Sequence, residues 1–265
     1  MASRGAIVDL DGTVYRGDSL LPGARAGLDT LCEAGYAIQF VSNNPAKSPA
    51  EFADRLTDLG IAADPDEIVS AAGATATALE RTHPDARLFV IGSRGLCSVL
   101  EDRGFALTDD PKACDVLVAS YDHGFDYDDM TDGLRAIEAG AAFVGTDPDR
   151  TIPAEDGRAV PGSGAIVNAL AGVVDRDPNW IAGKPSATIA ETALDRLDCA
   201  PQNCLVIGDR LDTDVAMGER HGMATVLVLT GVTDWATLAE SDIDPDHVIE
   251  GLGDVESVLA AIDVE

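Results

Sequence analysis

Along the chain, short apolar runs of β type alternate with longer segments whose apolar positions recur at helical spacing. The runs predict strands at Ala6–Val8, Ile38–Val41, Leu88–Ile91, Val116–Ala119, Ala142–Val144, Cys204–Ile207, Thr225–Leu229 and near His247–Ile249. The longer segments predict helices over Ala24–Ala34, Pro49–Leu59, Ala72–Arg81, Asp128–Ala139, Ser163–Val173, Ser186–Leu197, Asp212–Arg220 and Val255–Ile262. Strand and helix taking turns in this way is the pattern of a parallel sheet covered by helices, an α/β fold. In open sheets of that kind, ligands bind at the carboxyl ends of the strands, and that is where polar clusters carry weight.

Composition changes the picture at one point. The 265 residues are 46% hydrophobic and 25% charged, ordinary values for a folded chain, but 18 Lys+Arg face 47 Asp+Glu, for a net charge of −29 and a pI near 4.1. The acids run the whole length, and only Lys47, Lys112 and Lys184 are lysines. Such self-repulsion suits a salt-rich solvent, since the Debye length falls to about 3 Å at molar ionic strength. The expectation is a cytoplasmic protein of a halophilic archaeon. No basic stripe is present, so nucleic acid and anionic membrane are not expected partners. No apolar run approaches a membrane span or a signal-peptide core. The five cysteines form no CxxC pair and read as reduced.

The acidity also complicates the first candidate site. Asp9 and Asp11 follow the strand Ala6–Val8, but the Asp-x-Asp spacing recurs at Asp64/Asp66, Asp126/Asp128, Asp147/Asp149 and elsewhere. Asp9 could attack phosphorus as a carboxylate nucleophile, with Asp11 protonating the leaving oxygen and then activating water. Asp-Gly is equally a common turn dipeptide. What separates the first pair from the others is its company. Ser42 follows the strand Ile38–Val41, and its hydroxyl with the next backbone N–H groups suits a phosphoryl oxygen. Lys184, between Gly183 and Pro185, could neutralise phosphate and steady the nucleophile. Asp209 follows strand Cys204–Ile207 and Gly208, as a ligand for Mg²⁺ should, and Asp214 could support a metal-bound water or Lys184. Asp212 reads as surface charge. The four histidines build no metal cluster.

The motifs DLDGT, SNN, GKPS and GDRLDTD resemble the four signatures of the haloacid dehalogenase (HAD) superfamily. More narrowly, the chain is similar to its NagD-like, 4-nitrophenylphosphatase-like branch (subfamily IIA), with further marks at Val14-Tyr15-Arg16-Gly17, Gly145-Thr146-Asp147-Pro148-Asp149 and Pro161-Gly162-Ser163-Gly164. The resemblance implies a Rossmann-like core over residues 1–72 and 182–265 and an inserted α/β cap of the C2 type over residues 73–181. It implies Asp9 as nucleophile and Asp11 as general acid/base. Ser42, Asn43, Asn44 and Lys184 would bind phosphate, Mg²⁺ would sit on Asp9, Asp209 and the main-chain carbonyl of Asp11, and Asp214 would lie behind them. Asp147 stands where many relatives show Asn; it, Tyr121 and His123 are candidates for substrate contact.

The expected activity is therefore Mg²⁺-dependent hydrolysis of a small phosphorylated metabolite through an aspartyl-phosphate, in a protein that could pair through its cap. A HAD-scaffold binding protein without turnover is one alternative, though it would normally lack Asp9 or Asp11. A nucleotide-sugar glycosyltransferase using Asp-x-Asp for its metal is another, and it leaves Ser42, Lys184 and Asp209 unexplained.

Overall fold

The computed structural model describes residues 3–153 and 158–262. Two compact units emerge: Met1–Ser42, Ala50–Val69 and Lys184–Glu265 form the first, and Asn43–Pro49 with Ser70–Gly183 the second. The chain thus passes between units at Ser42/Asn43, Pro49/Ala50, Val69/Ser70 and Gly183/Lys184, and the short segment Asn43–Pro49 belongs with the second unit.

The first unit is built on a six-stranded sheet in the order His247–Ile249, Ala224–Val228, Cys204–Gly208, Arg4–Asp9, Tyr36–Ser42, Ile68–Ser70. The pairings from His247–Ile249 across to Tyr36–Ser42 are parallel. After Arg4, every residue of the strand Arg4–Asp9 is buried, as expected where helices cover both faces. On one face Ala6, Val8, Leu205, Ile207, Val226 and Val228 pack with Leu28 and Leu31 of helix Ala24–Glu33, Phe52 and Leu56 of helix Pro49–Asp58, and Val255 and Leu259 of helix Val255–Ile262. Registers Val8↔Ile207 and Asp9↔Val41 bring the carboxyl ends of the three central strands level. Asp9 and Ser42 are the last residues of their strands, and Asp209 follows the third directly.

The second unit has its own parallel sheet, ordered Trp180–Ile181, Ala142–Gly145, Val116–Ala119, Arg87–Ile91, Ala106–Leu107. Leu79, Leu88, Leu96, Leu100, Val116 and Val118 fill one side of it; Leu117, Phe143, Ile166 and Leu170 fill the other. An antiparallel pair, Thr151–Pro153 with Ala159–Pro161, stands apart from that sheet.

The α/β class and all eight predicted strands are present, within two residues at each end. The elements the sequence reading missed are mostly short strands. Strands such as Tyr15–Arg16, Ser19–Leu20 and Ala106–Leu107 have two residues, too few for any period to register. Helix Arg94–Asp102 was also unread; Ser93 caps it, its hydroxyl accepting from Leu96 N at 3.3 Å. The helix expected over Asp212–Arg220 begins as a π turn, Leu211–Val215, and continues as Ala216–His221. Such widened turns are rare and frequent at functional sites.

Candidate active site

The carboxyl ends of the first unit's central strands gather one cation and three acids. Lys184 Nζ donates to Asp9 Oδ1 at 2.5 Å, to Asp214 Oδ1 at 2.6 Å and to the Val41 carbonyl at 3.3 Å. Lys184, Asp9 and Asp214 are all buried. Thr13 Oγ1 reaches the other oxygen of Asp9 at 3.3 Å. Asp214 Oδ2 accepts from the backbone N–H of Arg210 at 3.2 Å, so the π turn folds this acid back over the strand end that precedes it. Gly208 leaves room for that return: a Cβ there would stand 2.2 Å from Asp214 Cγ.

Asp209 is fixed from another side. Its Oδ2 accepts from Val232 N at 2.5 Å, and its carbonyl accepts from Thr233 N at 3.1 Å. A Cβ on Gly231 would meet Asp209 Oδ2 at 1.8 Å, so the loop Thr230–Thr233 can wrap the acid only with glycine at this place. The same loop is tied to the turn after Asp9, because Thr230 Oγ1 donates to the Gly12 carbonyl at 2.6 Å. Gly12 has φ of 90° and lies against Asp209, two reasons for glycine at one position.

The charges do not balance. Burial opposes the Lys184 cation, but Asp214 and Asp9 beside it outweigh burial and push its pKa above the ordinary lysine value. The acids outnumber it. Burial, against the pull of Lys184 and with the push of Asp214 and Asp209, raises the Asp9 pKa well above the usual carboxylate range. Burial and the Asp214 charge raise Asp209 to about 7. Positive charge is in short supply here, and burial together with like charge raises Asp9 and Asp209 for that reason. Oxygens of Asp9, Asp209 and Asp214 lie within 4.8 Å of one another, and hard carboxylate oxygens in deficit of positive charge fit a divalent cation.

Other residues singled out in the sequence fall as follows. Asp11 is exposed on the turn beyond Asp9, bridged through its backbone to Tyr15. Ser42 is buried at its strand end. Asn43 lies in the second unit, its Nδ2 donating to Asp149 Oδ1 at 3.3 Å, and Asn44 Oδ1 accepts from Ala46 N at 2.9 Å. Asp147 is buried, receiving the Thr146 hydroxyl at 2.9 Å and Asp149 N at 3.2 Å. Tyr121 N donates to Ser163 Oγ, and His123 is exposed. Asp212 is exposed and faces Arg210 at 3.3 Å. The sequence reading missed Thr13 and the Thr230–Thr233 loop; the available signal was a Thr-Gly pair just beyond an apolar strand.

Parallel strands thus end in a buried acid cluster centred on Lys184, in an α/β protein. Residues 6–106 match the family of haloacid dehalogenase-like hydrolases, and residues 181–255 match a HAD-hydrolase-like family. The chain is 35% identical to the sugar-phosphatase AraL of Bacillus subtilis over 95% of its own length and 91% of that protein's. It is 33% identical to the 5′-nucleotidase YutF of the same organism, over 94% and 96% of the two chains. The solved p-nitrophenyl phosphatase of Archaeoglobus fulgidus superposes with a TM-score of 0.91 at 36% identity, covering 97% of this chain and all of that one. The chain belongs to the haloacid dehalogenase-like hydrolases. Within them it is a phosphatase of the NagD-like, nitrophenylphosphatase-like branch.

Proposed function

We propose that the protein hydrolyses the phosphomonoester of a small metabolite through an aspartyl-phosphate on Asp9, with Mg²⁺ as cofactor. The observation that supports this best is the Lys184 ammonium held at 2.5 Å from Asp9 and 2.6 Å from Asp214, with Asp209 beside them. Bound to Asp9, Asp209 and the Asp11 carbonyl, Mg²⁺ would neutralise the acids and polarise the phosphoryl group. The protein groups do the rest. Lys184 orients the Asp9 carboxylate for attack on phosphorus and offsets phosphate charge, while the Ser42 hydroxyl and the N–H groups of Asn43 and Asn44 donate to phosphoryl oxygens. As the ester P–O bond breaks, the Asp11 carboxyl gives its proton to the departing oxygen. Asp11 then takes a proton from the water that displaces Asp9 from phosphorus.

The second unit, Asn43–Pro49 with Ser70–Gly183, acts in this reading as a cap that selects the leaving group, with Tyr121, His123 and Asp147 as candidates for contact. Sugar phosphates and nucleoside monophosphates are the substrate classes to test first, because relatives bear the names sugar-phosphatase and 5′-nucleotidase. The net charge of −29 supports a salt-rich cytoplasm as the working solvent. A homodimer through the cap is the assembly we expect. Among the described residues no helix is long and apolar enough to cross a membrane.

The test is hydrolysis of 4-nitrophenyl phosphate in high KCl with Mg²⁺, with EDTA, and with Asp9→Asn. Activity should vanish under the last two conditions, and an undiminished Asp9→Asn rate would overturn the mechanism. A panel of phosphorylated metabolites then identifies the substrate.

A further inference from the structure

The edge strand of the first unit's sheet is short. Ile68–Ser70 has three residues against seven in its neighbour Tyr36–Ser42, so it cannot flank the whole of the longer strand. A cavity of about 740 Å³ opens beside residues 36–40, walled by helix Ala24–Glu33, by the chain that follows helix Pro49–Asp58 and by Arg196. Such a volume suits a small molecule. The cavity shares no residue with the acid cluster around Lys184.

Leu28, Tyr36, Phe40 and Ile61 line it and belong to the buried core, so much of the wall is apolar and fixed. One polar group in the lining is left half used. Gln39 is 3% exposed; its Nε2 donates to the Asp66 carbonyl at 3.3 Å, and among the described residues nothing donates to its Oε1. That oxygen is not sealed off from solvent, and the access it has is through the cavity that Gln39 lines, which suits it to accept from a ligand O–H or N–H.

The lining also carries opposite charges that are not spent on each other. Arg25 and Asp29 stand one turn apart on helix Ala24–Glu33, and among the described residues neither side chain makes an ion pair or a hydrogen bond. The Arg25 guanidinium lies over Gly60 instead, where a Cβ would stand 2.6 Å from its Nη2. Two other charged groups are engaged locally. Arg196 Nη1 donates to the carbonyls of Asp66 and Ile68 at 3.0 and 2.9 Å, and Glu67 accepts from Asp64 N at 2.8 Å. Asp66 adds a further carboxylate.

We propose that this cavity binds a free α-amino acid with a largely apolar side chain: its carboxylate meets Arg25, its ammonium meets Asp29, and its side chain lies against Leu28, Tyr36, Phe40 and Ile61 with a terminal hydroxyl on Gln39 Oε1. A zwitterion answers both unpaired charges at once. An anion alone would face Asp29 and Asp66, and a cation alone would face Arg25. The inference is independent of the proposed phosphatase reaction.

Equilibrium binding to the full chain, read by ligand-observed NMR in high KCl, tests it with L-tyrosine, L-phenylalanine, N-acetyl-L-tyrosine and L-tyrosinamide. L-Tyrosine should bind saturably, L-phenylalanine about 3-fold more weakly, and the two derivatives, each lacking one charge, about 10-fold more weakly or worse. Arg25→Gln and Asp29→Asn, both at exposed positions, should each weaken L-tyrosine about 10-fold and leave 4-nitrophenyl phosphate hydrolysis unchanged. Gln39→Leu should erase the preference for tyrosine; should that variant fail to fold, the comparison of the two amino acids in wild type reads the same contact. Asp9→Asn should bind L-tyrosine as wild type does, and a loss there would place the ligand at the acid cluster and overturn the proposal. So would the absence of saturable binding, equal affinity for tyrosine and phenylalanine, a derivative that binds as tightly as L-tyrosine, or wild-type affinity in Arg25→Gln or Asp29→Asn.

Discussion

The two units each bury acids at the carboxyl edge of a parallel sheet, and they do so on different terms. In the first, Asp9, Asp209 and Asp214 surround the Lys184 ammonium. In the second, Asp147 is met by neutral donors, the hydroxyl of Thr146 and the N–H of Asp149, and by Asp149 as a second acid. Burial and then the Asp149 charge raise the Asp147 pKa to about 7. The ammonium turns crowded carboxylates into a site that can hold charge and do chemistry. Where donors are neutral, the simplest resolution is a retained proton.

That contrast can be broken at several points. The largest effect is expected from Asp9→Asn, which should lower kcat by at least about 10³-fold with the fold intact by circular dichroism. Lys184→Met should come next. It leaves Asp9 and Asp214 buried without their cation, at a cost of about 3–5 kcal/mol in urea unfolding near neutral pH, along with loss of activity. Full stability in that variant would mean that the ammonium does not hold the acids together.

At the second cluster the sign reverses. The Asp147 pKa is raised from 3.8 to about 7. The stability this group contributes is present below its unfolded pKa and is lost as pH rises through about 7. Asp147→Asn removes the charge and keeps an acceptor, and the Thr146 hydroxyl, paired with Ser120 at 2.8 Å, can reverse its bonds. The variant should therefore be more stable than wild type at pH 8, by at most about 4 kcal/mol, with the gain shrinking toward pH 5. Chemical denaturation at both pH values, in high KCl, checks this; salt screens exposed charges, and the gain at a buried site should survive it. The smallest effect belongs to Asp212→Asn, whose exposed pairing with Arg210 is worth less than about 1 kcal/mol and whose loss should leave activity untouched.

Much of the first cluster was legible in the chain. Asp9, Lys184, Asp209 and Asp214 stand out because each follows or adjoins a short apolar run or a Gly-bearing turn, and parallel strands bring such positions to one edge. The Asp147/Asp149 pair was visible only as another Asp-x-Asp among many, since spacing carries no information about burial. The holders of the site were invisible for a related reason. Thr13 and the Thr230–Thr233 loop act through contacts that depend on how turns fold against neighbouring strands. Val232, which acts through its backbone N–H, leaves no periodic trace.

The sequence by itself determined the α/β class, the order of the longer strands and most helices along the chain, and the residue types on which phosphoryl chemistry depends. Periodicity and local turn chemistry are properties of neighbouring residues, and they can be read in one dimension. Tertiary structure alone decided which of the many aspartates share one cation, which are buried with neutral donors, and which remain in solvent. A carboxylate's charge state follows from desolvation and from groups far away in sequence: Lys184 stands 175 residues from Asp9 and 30 from Asp214, and only the fold brings them within 3 Å.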